Sequence, residues 1–72
     1  MVNVRKLKAR LLEAGLTTKD AATQLGINRS TFYRKLQKPE DLLSVRDIRV
    51  LSDMLGLRMT DVAEIFFSQD VA

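Results

Sequence analysis

The 72 residues include no cysteine and no histidine, which excludes disulfide staples, thiolate nucleophiles, imidazole bases and the commonest zinc-ligand sets together. Long apolar runs are missing as well, and the basic N-terminus carrying Arg5, Lys6, Lys8 and Arg10 is not followed by an apolar stretch. Neither a membrane span nor a secretion signal fits that pattern. The expectation is a soluble, cytoplasmic chain. Paired carboxylates on a shared face, a base beside any serine or threonine, and a glycine-rich phosphate cradle are also lacking, so no enzyme, cofactor or metal site is expected.

What is present is 46% hydrophobic residues, enough for one small core. The charge is unevenly spread. Residues 1–38 hold nine basic groups against Glu13 and Asp20, whereas residues 39–72 hold three against seven acids. Segregated positive charge is the footprint of a polyanion partner, because neutralising phosphates releases counterions. The alternative is an ordinary solvated face.

Capping residues divide the chain into five helices without strand-like alternation, so the expected class is all-α. The first helix runs from about Val4 to Ala14, with Val4, Leu7, Leu11 and Leu12 on one stripe, and Gly15 stops it. Thr17 with Asp20 forms a capping box that starts the second helix, which ends at Leu25 before Gly26. Asn28 caps the third, whose Phe32 and Leu36 make a buried pair and which breaks at Lys38-Pro39. A short acidic linker follows. Ser44 with Asp47 repeats the capping box and opens a fourth helix, Val45 to Leu55, closed by Gly56. Thr60 is read as the cap of a fifth helix whose inner face is Val62, Ile65 and Phe66. Residues 1–67 thus make one domain, with 68–72 as a tail.

The most informative stretch is TTKDAATQLGINRSTFYRKLQ. Two helices cross closely at a tight turn only if the first offers a small residue at the contact, here Ala22, and the turn holds a glycine, here Gly26. With Phe32 and Leu36 facing inward, the free stripe of the second of these helices is Ser30, Tyr33, Arg34 and Gln37, with Arg29 beside it in the first turn. Those groups suit base edges and phosphates.

This stretch, and about residues 3–67 as a whole, resembles the helix-turn-helix family of phage Cro and CI repressors and their bacterial relatives. GLTTKDAATQLGINRSTFYRKL resembles that family's helix 2, turn and helix 3, and SVRDIRVLSDMLGLRMTDV resembles its helix 4 and the start of helix 5. The resemblance implies a compact five-helix bundle that binds double-stranded operator DNA, commonly as a homodimer on a palindrome, and represses transcription. Carried onto matching positions, it implies Thr18 and Lys19 as backbone contacts and Arg29, Ser30, Tyr33 and Arg34 as groove readers. The chain departs from the family pattern at Thr18, where glutamine is frequent, and at Phe32, where a β-branched residue is usual.

Gln37 joins the expected base readers, and Asn28, Lys35 and Lys38 join the expected backbone contacts. The basic residues of the first helix are further candidates for a phosphate. Phe67 lies about 100° round the last helix from Phe66 and cannot share its core, so Phe66 and Phe67 are expected at a dimer interface. The competing reading is a protein-interaction module, an adaptor or antitoxin-like subunit, that keeps the bundle without reading DNA. The length fits a whole regulator, controlled by concentration and competition.

Overall fold

A computed structural model of the chain describes residues 1–68. It is all helical among those residues, in the order α1 (Val4–Glu13), α2 (Thr18–Leu25), α3 (Arg29–Gln37), α4 (Pro39–Leu42), α5 (Val45–Leu55) and α6 (Met59–Phe66). The core is one cluster drawn from five of these helices, with Leu7, Phe32, Leu51 and Ile65 its largest fully buried side chains. Phe32 is the anchor of α3. Burying it in the core cluster holds that helix to the bundle by one face and leaves the other to solvent.

The local chemistry explains the boundaries. In α2, the Thr17 hydroxyl accepts from Asp20 N–H at 3.1 Å while the Asp20 carboxylate accepts from Thr17 N–H at 2.8 Å, which satisfies two of the free donors of a helix start. Ser44 and Asp47 do the same for α5, both at 3.0 Å. At the far end of α2, Gly26 adopts φ +73°, a left-handed conformation that costs other residues a Cβ clash. Its N–H and that of Ile27 then reach back to Thr23 and Ala22 carbonyls, a Schellman closure.

Four expectations need correction. The linker after α3 is itself a helical turn, α4, so there are six helices rather than five among the described residues. Pro39 ends α3 and also starts α4, since proline at the first helical position lacks only an N–H that would have no partner there. Glu40 and Asp41 then place acids in the first turn, where the helix dipole favours them. Leu12 is 79% exposed and outside the α1 stripe, because Leu7 and Leu11 fill the inward line and Leu12 falls a further 100° round.

The last helix begins at Met59, before Thr60, because Asp61 accepts from Arg58 N–H at 3.1 Å and Val62 N–H reaches Arg58 O at 2.9 Å. Phe66, expected at a dimer contact, is only 2% exposed and belongs to the core of its own chain. Phe67 is 60% exposed. Of the tail, residues 69–72 lie outside the described residues.

Candidate nucleic-acid interface

The exposed face of α3 carries Ser30, Tyr33, Arg34 and Gln37, with Arg29 at its first position, and all five side chains are solvent-accessible. The face exists because α3 turns Phe32 and Leu36 inward, and at 100° per residue Ser30, Arg34 and Gln37 then fall on the opposite side. Asn28 caps the helix. Its Oδ1 accepts from Thr31 N–H and from the Ser30 hydroxyl, both at 2.8 Å. The Ser30 hydroxyl therefore meets a ligand as an acceptor, and Asn28 has its amide group left to donate.

Tyr33 is 43% exposed and its hydroxyl lies 3.1 Å from the Thr18 hydroxyl at the first position of α2. That bond joins the two helices across the turn. An open groove of about 350 Å³ runs alongside, lined by Lys19 and Thr23 of α2 and by Ile27, Asn28 and Arg29 at the start of α3. Lys19 and Arg29 thus place two cations on one concave strip next to the N-terminus of α3, where the helix dipole also favours an anion.

The structure separates the remaining cations. Lys35, expected at the DNA backbone, is turned away from the exposed face: its ammonium donates to Asp47 Oδ2 at 2.8 Å and to Leu42 O at 3.0 Å. A phosphate would have to displace a carboxylate from a pair whose side chains are 21% and 7% exposed, so the expectation for Lys35 is corrected. Lys38 is exposed at the end of α3. On α1, Lys6 and Arg10 lie 3.5 Å from Glu64 and Asp61 of α6, which spends part of their charge within the bundle. Lys8 lines a second groove with Leu12, Leu16, Thr17, Thr18 and Tyr33, on the side of the bundle where α2 and α3 meet.

Four carboxylates are held below their ordinary pKa. Backbone N–H donation from the cap is the leading cause for Asp20, through Thr17, and for Asp61, through Arg58; for Glu40 it is the N–H of Val2. At Asp47 burial acts most strongly and upward, but hydrogen bonds from Lys35 and Ser44 and the Lys35 charge together outweigh it. All four stay ionised at neutral pH. Among the described residues, none of the ion pairs takes up Arg29 or Arg34.

A homeodomain-like domain model matches residues 4–43, which is more than half of the chain and takes in α1 to α4. The chain belongs to the homeodomain-like domain family. That is a helix-turn-helix DNA-binding family, and the match contains both helices of the motif, the turn at Gly26 and the whole exposed stripe of α3. No curated protein and no solved structure matches the chain. Among the described residues no helix is long and apolar enough to cross a membrane.

Cap spacing and the α3 stripe were readable from the sequence. Sequence reasoning missed the Thr18–Tyr33 bond and the pairing of Lys35 with Asp47. A hydroxyl on each of two helices flanking a tight turn is the only signal for the first. No spacing rule gives the second.

Proposed function

We infer that the chain is a sequence-specific regulator of transcription, a small repressor of the Cro type, that inserts α3 into the major groove of an operator. The observation that carries this reading is the exposed α3 stripe. Arg29 and Arg34 are suited to guanine edges, Gln37 to adenine, and Ser30, as an acceptor, to the amino group of adenine or cytosine, while Tyr33 stands at the edge of the stripe. Lys19, Lys38, Thr18 and the Asn28 amide flank it as phosphate contacts that set register and carry no sequence information.

The reading extends to a homodimer on a palindrome. Met59 and Ala63 of α6 and Phe67, its C-cap residue, are spaced four residues apart and all three are exposed, an apolar line left uncovered by the described residues. Covering it with the same line of a second copy makes a self-complementary contact. The bundle measures 33 × 24 × 19 Å, so two copies side by side on one face of a duplex can set their α3 helices about one turn of DNA, roughly 34 Å, apart. So small a contact supports weak dimers that tighten on DNA.

The test is sedimentation of the free protein and its stoichiometry on duplex DNA across a series of salt concentrations, repeated with Phe67→Ser. Expected are a steep loss of binding with salt, two chains per site, and loss of the cooperative second chain in the variant. Binding indifferent to salt would remove the DNA reading. Two-chain binding that survives Phe67→Ser would place the interface elsewhere.

A further inference from the structure

Phe32 and Leu36, the two anchors of α3, lie almost on one line along the helix, and apolar contact is not directional. Two such anchors fix how deep the helix sits and leave it free to roll about that line by small angles. Every exposed reader would swing with the roll. The bundle supplies two directed bonds where they oppose it. At 100° per residue, Tyr33 and Lys35 fall about 80° to either side of the anchor line. Tyr33 is tied to Thr18 of α2 on one flank, and Lys35 is tied to Leu42 O and Asp47 on the other.

The second tie is the stiffer one. Asp47 is 5% exposed, and the same Oδ2 that accepts Lys35 also accepts Ser44 N–H at 3.0 Å, so the carboxylate is part of the cap that starts α5. Leu42 is the last residue of α4, where a helix leaves carbonyls unpaired, and Lys35 supplies a donor for one of them. One ammonium thus joins the reading helix to the end of α4 and the beginning of α5. Replacing such a pair by apolar groups often leaves stability unchanged, which makes a role in defining geometry separable from a role in holding the fold.

We propose that Lys35 and Asp47 are a positioning pair for base reading: together they set the roll of α3, and through it the aim of Ser30, Arg34 and Gln37, without touching DNA. This rests on the reading of α3 as a groove-binding helix. A displacement of a fraction of an ångström is enough to spoil convergent hydrogen bonds, whereas phosphate contacts made by long cationic side chains adapt.

The test compares the wild type with the double variant Lys35→Met, Asp47→Asn, which keeps the net charge and keeps an oxygen to accept Ser44 N–H. Affinity is measured for a duplex selected by the wild type and for a scrambled duplex, each at several salt concentrations, with circular dichroism to establish that the variant is folded. Expected is a loss of about tenfold or more on the selected duplex, with affinity and salt slope on the scrambled duplex unchanged. Asp47→Asn alone is the milder second variant, since Lys35 and Ser44 can still donate to its oxygen, and it should show a smaller loss of the same kind. A folded variant with undiminished discrimination overturns the proposal and leaves the pair purely structural. A salt slope lowered by about one on both duplexes overturns it differently, by making Lys35 a phosphate contact. Failure of the wild type to discriminate any duplex from the scrambled one is a separate result that removes the groove-reading function itself.

Discussion

The hydroxyls of Thr18 and Tyr33 lie 3.1 Å apart, fifteen residues distant in sequence, and form the one side-chain hydrogen bond from α2 to α3 among the described residues. Thr18 is the first residue of its helix and Tyr33 stands at the edge of the exposed stripe, so the bond braces the turn from its open side. Tyr33→Phe keeps the ring and removes the bond. Because both groups are accessible to water, stability should change by no more than about 0.5 kcal/mol. Affinity for a preferred duplex should fall in Tyr33→Phe and further in Thr18→Val, which also loses a phosphate contact, and the double variant should be little worse than Thr18→Val alone. Additive losses in that cycle would mean the two hydroxyls act separately.

Arg29 and Arg34 should separate into different roles, since one lies in the first turn of α3 and the other on its exposed middle. If one is bidentate to a guanine, its change to Ala costs about 1–3 kcal/mol on the preferred site and flattens preference at one base pair. Competition binding against every single-base variant of the site reads this directly. Equal losses on all sequences for both would reduce them to phosphate contacts.

Lys19 is a different case. It sits in the first turn of α2, beside the free N–H groups of that helix, and should meet a phosphate without regard to sequence. Lys19→Ala should weaken binding uniformly and lower the salt slope by about one. An unchanged slope would count against it.

Acid should unfold the bundle through its caps. Asp20, Glu40, Asp47 and Asp61 all have folded pKa values below the ordinary carboxylate range, so each contributes stability that is complete above its unfolded value and is lost as pH falls through the folded one. Without histidine no side chain has an ordinary pKa between about 5 and 8. The melting temperature should therefore be flat from neutral pH to about 5 and drop below about pH 4. A fall that starts near neutrality would contradict this origin.

Local chemistry with partners three or four residues apart was legible in the sequence, except at Arg58 and Asp61, where Thr60 offered the more usual cap residue. The boxes at Thr17 and Asp20 and at Ser44 and Asp47, the Gly26 turn and the inward pair Phe32 and Leu36 all stand where spacing puts them. Residues with two roles were harder. Pro39 signals the end of one helix and the start of another, and only the first was read. Leu12 sits next to Leu11, and spacing alone does not say which neighbour turns inward; Phe66 reads both as the inner face of the last helix, where it lies, and as a dimer contact, which its burial excludes. Lys35 has the composition of a surface cation, and its carboxylate lies twelve residues away on another helix. Only folding of α4 and α5 brings the two together.

The central claim is that the exposed face of α3 reads base sequence in double-stranded DNA. Selection of bound duplexes from a random pool tests it most directly, run with the wild type and with a variant in which Arg29, Ser30, Arg34 and Gln37 are all alanine. Those four side chains are exposed, so the variant should fold and still bind DNA weakly through its remaining cations. Expected for the wild type is enrichment of one palindrome with half-sites about 10 bp apart, and for the variant no enrichment at all. A wild type that enriches nothing, or a variant that enriches the same sequence, would contradict the claim.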